Sequence, residues 1–167
     1  STLALSMLWG VYPSVSTAST GFIEATNPWA GTFRVRPPVW VTAHTTAFVE
    51  PGWIMLNPTT GSSDFLRDGG SFVTFVPPTR DGRFVLVIEK LHGTCLECGT
   101  GATISENLTF SLENGLGAFG VDSNASDLAI RIWVTNETEN FLRLPDLVID
   151  DSSTPWSFSF RAQADAI

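Results

Sequence analysis

Apolar and polar residues recur along this chain with two different periods, and the change falls at Pro37 to Trp53, PPVWVTAHTTAFVEPGW. Upstream, Ser1 or Thr2 can cap a helix that sets Leu3, Met7 and Leu8 on one side. That predicts about three helical turns ending before Pro13. Gly21 to Ala25 predicts a short buried strand, followed by a turn at Asn27-Pro28-Trp29. The Pro37–Trp53 stretch carries the β-branched residues Val39, Val41, Thr42, Thr45 and Thr46, which suit a strand. Trp40, Ala43, His44, Ala47 and Phe48 nevertheless fall at helical spacing. The stretch reads as a short helix, because Pro38 fits the first helical position, where its missing N–H costs nothing, and Pro51-Gly52 is a helix stop.

Beyond Trp53 the period is two. Ser71 to Val76 and Arg83 to Glu89 predict strands joined in a hairpin through Pro77-Pro78-Thr79-Arg80-Asp81-Gly82. Another strand runs through Leu108, Phe110 and Leu112, and Gly115 to Ala118 reads as a turn. Leu128 to Val134 alternates Leu128, Ile130, Ile132 and Val134 against Arg131 and Trp133. Asp146 to Ile149 and the Trp156, Phe158, Phe160 alternation complete a series of short strands, which predicts an antiparallel β-sandwich. The fold class expected is therefore mixed, with a boundary near residue 51. One helix, one strand, one turn and another helix cannot close a layer by themselves, so residues 1–51 call for a partner.

Composition narrows the function classes. Hydrophobic residues make up 43% of the chain and charged ones 16%, which fits a globular protein. The net charge of -8 argues against nucleic acid or anionic lipid as a main partner. No apolar run reaches the roughly 18 residues that span a bilayer. Six Trp and twelve Phe supply the flat apolar surface that a β-protein or a sugar-binding protein uses. Three sequons, at Asn107, Asn124 and Asn136, point to the secretory pathway, whereas Pro58 excludes Asn57. A start at Ser1 with no visible leader suggests a processed or excised piece of a longer protein. Two His and two Cys, without metal-ligand spacing, make no convincing metal site, and no cofactor is implied.

The run GFIEATNPWAGTFRVRPPVWVTAHTTAFVEPGW, Gly21 to Trp53, resembles the galactosylceramidase (galactocerebrosidase) family of retaining glycoside hydrolases. Its Pro28, Trp29, Gly31, Pro38, Val39, Trp40, Val41, Ala43, His44, Thr45, Thr46, Phe48, Pro51, Gly52 and Trp53 stand in one register with that family. The resemblance continues more weakly through GGSFVTF, VLVIE and NLTFSL. It implies that residues 1–51 are the last part of a (β/α)8 barrel, that 52–167 form the β-sandwich, and that the partner is the remaining barrel polypeptide. It also implies hydrolysis of a galactoside or glycolipid by two glutamates lying upstream of Ser1, so that no catalytic residue lies in this chain. Glu24 matches no catalytic position of the family and reads as a carboxylate paired within the barrel.

The substrate contacts implied are less regular. Leu5 stands where the family places a sugar-facing Trp, Thr17 where it places a Tyr, and Thr100 where the sandwich offers an Arg. Trp9, four residues after Leu5 on the expected helix, can reach toward the same mouth. Trp29, at the end of the expected barrel strand, is a substrate-stacking residue or a packing one, and Asn27 beside it is a turn residue or a hydroxyl-binding amide. His44, between threonines, reads as a satisfied structural residue, and His92 as a loop residue. Cys95 and Cys98 lie in an expected all-β loop and are disulfide candidates; the resemblance puts Cys98 where the family bridges sandwich to barrel, and pairing with each other stays open. The alternatives to a hydrolase are a non-catalytic carbohydrate-binding or structural glycoprotein on the same scaffold, and a free-standing sandwich that presents its sheet to a protein.

Overall fold

A computed structural model describes residues 8–10, 22–25, 28–57, 59, 63–66, 69–90, 105–112, 128–149, 156–164 and 166–167. The chain forms two compact units, Ser1–Ala43 and His44–Ile167. In the first, β1 (Leu8–Gly10) lies parallel to β2 (Ile23–Ala25), and β3 (Arg34–Val35) returns antiparallel on the other side of β2. The strand at β1 overturns the expected helix at Leu8–Gly10; the rest of that expected helix lies outside the described residues. Gly10 interrupts the apolar helical pattern and Trp9 favours extended backbone, so the ladder Leu8↔Ile23, Trp9↔Glu24, Gly10↔Ala25 wins over a weak local preference. A single 3-10 turn, Pro28–Ala30, follows β2, and Gly31 leaves it with φ 70°.

The expected helix at the joint forms as α1 (Pro37–Thr46). Pro37 and Pro38 have no N–H to satisfy in the first turn, and Val39 N–H donates to the Arg36 carbonyl at 3.0 Å. Its end is marked by Val49 N–H donating to the Thr45 carbonyl at 2.9 Å. Trp53 N–H then closes on the Glu50 carbonyl at 3.1 Å across Pro51-Gly52, with Gly52 at φ 96°. Proline at the second and a left-handed glycine at the third position are the chemistry of a type II turn.

In the second unit β6 (Ser71–Val76) is central to a four-stranded sheet. On one edge it pairs with β7 (Val85–Glu89), the expected hairpin, and on the other with the short β4 (Ile54–Met55) and β5 (Ser63–Phe65). A second group of strands contains β8 (Glu106–Leu112) paired over seven residues with β13 (Trp156–Ala162), and β9 (Leu128–Ile130) paired with β12 (Leu147–Ile149). β10 (Trp133–Val134) and β11 (Leu142–Arg143) make a small hairpin. The single strand expected over Leu128 to Val134 is thus broken at Arg131-Ile132. Its two halves take different partners, and Leu144 N–H donates to the Ile132 carbonyl at 2.9 Å at the break.

The two groups meet through aromatic rings, as two packed β-layers should. Phe72 of β6 meets Phe110 of β8 edge-on at 5.3 Å, and Phe110 stacks on Phe158 and Phe160 of β13 at 5.5 and 6.0 Å. Such pairs contribute about 0.5–1.5 kcal/mol each beyond the area they bury. Leu108, Phe158 and Ala162 are buried on the inward face while Asn107, Thr109, Ser159 and Arg161 are exposed on the other, the alternation anticipated from the sequence. This mostly-strand architecture with one short helix is consistent with a β-sandwich.

Lys90 closes the sandwich at one end. It is 1% exposed, its Nζ is bound to the Glu106 carboxylate, and its backbone N–H donates to the Ala166 carbonyl at 2.7 Å. One residue therefore links the end of β7, the start of β8 and the segment after β13. An ammonium this deep is tolerated only because a carboxylate accompanies it.

Candidate functional site

Two surfaces carry the residues singled out above, one in each unit. In the first unit Trp29 sits in the 3-10 turn immediately beyond β2 and is 87% exposed. Phe33, Val35 and Val41 of the same unit are also exposed. Trp9 lies on β1 with its backbone opposite Glu24. It is therefore not on a helical face with Leu5, and the expectation that it reaches the mouth by an i,i+4 step is withdrawn. Leu5, Thr17, Asn27, Thr100, His92, Cys95, Cys98, Asn124 and the Gly115–Ala118 turn lie outside the described residues.

In the second unit a cleft of ≈ 960 Å³ is lined by Phe48, Trp53, Arg83, Trp133, Asn136 and Glu139, among others. Near Trp53, Arg83 is clamped by Asp81: Nε donates to Oδ1 at 3.0 Å and Nη2 to Oδ2 at 2.8 Å. The guanidinium stands 5.4 Å from the Trp53 ring centre, with Glu50 at 3.9 Å. Its hydrogen bonds to Asp81 hold that carboxyl down at about 2, so Asp81 is an anion at any physiological pH. Its Oδ2 also accepts from the Thr79 hydroxyl at 3.1 Å, and the hairpin tip is thereby fixed beside the turn at Pro51-Gly52.

His44 is buried where α1 enters this unit. Its Nε2 is 2.8 Å from the Thr135 hydroxyl, and Thr135 Oγ1 also accepts from Phe141 N–H at 3.0 Å. The hydroxyl proton is then available to His44 Nε2, an arrangement that suits the neutral ring. Burial pushes the His44 pKa down in the same sense. Phe141 packs edge-on to His44 at 5.1 Å and stacks near Phe48 and Trp133 at 5.8 and 6.3 Å. Its backbone is left-handed, φ 55°, which costs a non-glycine residue about 1–2 kcal/mol. The ring contacts and the bond to Thr135 offset that cost. Thr135 is in turn doubly paired with Ile167, N to O at 2.8 Å and O to N at 2.9 Å.

His44 is thus the satisfied structural histidine that its position among threonines suggested. Its partner Thr135, 91 residues away, and the strained Phe141 escaped the sequence reading. A left-handed position is expected at Asn or Gly, and neighbouring Asn140 would have drawn the eye instead. Among the described residues no group of three or more His, Cys, Asp or Glu is placed to hold a metal ion. No helix among them is long and apolar enough to cross a membrane. What the cleft offers is aromatic planes beside a guanidinium, carboxylates and an amide, groups that suit the apolar faces and hydroxyls of a sugar.

Comparison with known proteins bears on both units. Residues 1–47 match the model of Glycosyl hydrolase family 59. A galactocerebrosidase of Macaca mulatta is 29% identical over 176 aligned residues, covering 100% of this chain and 24% of that protein. One of Salmo salar is 30% identical over 158 residues, 91% of this chain and 22% of the relative. One of Danio rerio is 35% identical over 99 residues, 58% of this chain and 14% of the relative. The chain thus spans a quarter or less of the length of these curated relatives. Over its whole length it is similar to the galactocerebrosidases, and over residues 1–47 to Glycosyl hydrolase family 59.

Proposed function

We propose that this chain is part of a secreted or lysosomal/vacuolar-type glycoside hydrolase that cleaves β-galactosides, galactolipids among them, with both catalytic glutamates supplied from outside these 167 residues. The observation that carries the reading is the alignment of the whole chain, end to end, with a galactocerebrosidase about four times its length. In this reading residues 1–51 are the closing arc of a (β/α)8 barrel and 52–167 its β-sandwich. The parallel pairing of β1 with β2 supports the arc, since parallel neighbours are what a barrel wall is made of. The exposed Trp29, Phe33, Val35 and Val41 then face the rest of the barrel polypeptide or its substrate.

The chemistry is a retaining double displacement. One glutamic acid protonates the glycosidic oxygen while the other attacks the anomeric carbon, and the first then deprotonates the water that frees the sugar. The part assigned to this chain is positioning. Trp29 is assigned to the apolar face of the galactose; Asn27 and Thr17 of the first unit, and separately Thr100 of the second, are the further substrate-binding candidates. The departures at Leu5, Thr17 and Thr100 favour one second reading, a non-catalytic carbohydrate-binding or structural glycoprotein on the same scaffold.

The test is an assay of the complete protein on an aryl β-galactoside, with proton NMR following the first anomer released. β-Galactose appearing first supports the proposal, and α-galactose appearing first would refute retention. Binding of galactose without turnover by a folded protein would establish the second reading in its place.

A further inference from the structure

We infer that Asn107, on the outward face of β8, carries an N-linked glycan, and that Asn136, which has the same sequon, is left bare because the turn it builds closes first. The inference rests on the secretory assignment proposed above. Transfer forms a bond between the asparagine Nδ2 and the anomeric carbon of an oligosaccharide carried on a lipid pyrophosphate. The bond from that carbon to the pyrophosphate oxygen breaks, and Nδ2 gives up one proton. Both the amide and the hydroxyl two residues on must be reachable by the transferring enzyme. The enzyme acts on chain that has not yet folded, so a site must be open early and must also be tolerated late.

Asn107 satisfies both conditions. Its strand partner is Arg161, 54 residues further on. At about 5–20 residues per second of synthesis, β8 waits on the order of 3–10 s before β13 exists to pair with it. Throughout that interval an extended Asn107-Leu108-Thr109 holds amide and hydroxyl on one side, because side chains two apart on a strand share a face. In the finished fold Asn107 and Thr109 remain exposed, surrounded by Ser111, Ser159 and Arg161. The corresponding side of the β6–β7 hairpin carries Val73, Phe75, Val85 and Val87 instead. Compared with β6–β7, the β8–β13 pair is the one whose outer surface is built for water.

Asn136 is different in both respects. Its Oδ1 accepts from Thr138 N–H at 2.9 Å, from the Thr138 hydroxyl at 3.1 Å and from Glu139 N–H at 2.8 Å. Its Nδ2 donates to Gln163 Oε1 at 2.8 Å. Three of these four partners lie within three residues of Asn136, and the hairpin they close, Val134↔Leu142, is wholly local. Hairpins form in about 1–10 μs, about six orders of magnitude faster than β8 finds β13. The hydroxyl that the transferase needs is already engaged by the amide it would modify. In the folded protein the same amide lines the cleft.

The test is to secrete the protein from a eukaryotic host behind a cleavable leader, release glycans enzymatically in heavy-oxygen water, and read occupancy by peptide mass spectrometry. Asn107 should be mostly occupied and Asn136 at least fivefold less so. Leu142→Pro, which removes the hairpin pairing, should raise occupancy at Asn136 and leave Asn107 unchanged. A bare Asn107, equal occupancy at the two sites, or no response to Leu142→Pro would each overturn the inference. The leader sends the chain past the transferase in any case, so failure here counts against the site assignment alone. The native protein's compartment, located by fractionation, tests the secretory reading separately.

Discussion

Thr135→Val is the sharpest test of how His44 is held within the second unit. Valine keeps the shape of threonine and removes only the hydroxyl, the single atom that serves both His44 Nε2 and Phe141 N–H. His44 and Thr135 are buried, 6% and 7% exposed, so water cannot replace the lost bonds freely. Each orphaned group costs about 1–3 kcal/mol, which puts the loss of the two at about 2–6 kcal/mol. The left-handed Phe141 loses its backbone anchor at the same time, which moves the expectation to the upper half of that range. Thr135→Ser is the control. It keeps the hydroxyl and discards one methyl, and should cost about 1 kcal/mol. Urea denaturation followed by tryptophan fluorescence measures both, the difference being read from midpoints at unchanged slope. If Thr135→Val costs under about 0.5 kcal/mol, or no more than Thr135→Ser, the hydroxyl is not the fastener argued for here.

Two further outcomes follow from the buried ionisable groups. Burial lowers the His44 pKa below its unfolded 6.5, so the unfolded chain binds the proton more readily. The contribution is complete above about pH 6.5 and is lost as pH falls through the folded value, at no more than about 1.4 kcal/mol per pH unit. His44→Gln, which can still hydrogen-bond but does not titrate, should show a shallower fall in urea midpoint between neutral and acid pH; equal slopes would refute the assignment. Lys90→Met alone strands the Glu106 carboxylate and should cost about 3–5 kcal/mol, whereas Lys90→Met with Glu106→Leu should recover more than half of that loss. Additive losses would mean that the pair is not coupled.

The alternation of Leu108, Phe110, Phe158 and Phe160 with polar residues was enough to place β8 and β13 and to say which face goes inward, because a half-buried strand imprints its period of two on the sequence. The β6–β7 hairpin was legible for the same reason, together with its Pro- and Gly-rich connection. Pro38 marked the start of α1, since proline restricts the backbone locally, but the helix ends at Thr46, short of the expected stop at Pro51-Gly52, which forms a turn of its own. Local pattern misled where partners decided. Leu8–Gly10 became a strand because β2 was beside it, and Leu128–Val134 broke because its halves found different neighbours. The pairing of His44 with Thr135, the left-handed Phe141 and the burial of Lys90 on Glu106 left no mark in the sequence. Each joins residues from separate elements, and only a folded chain brings such atoms within hydrogen-bonding reach and makes leaving them unpaired costly.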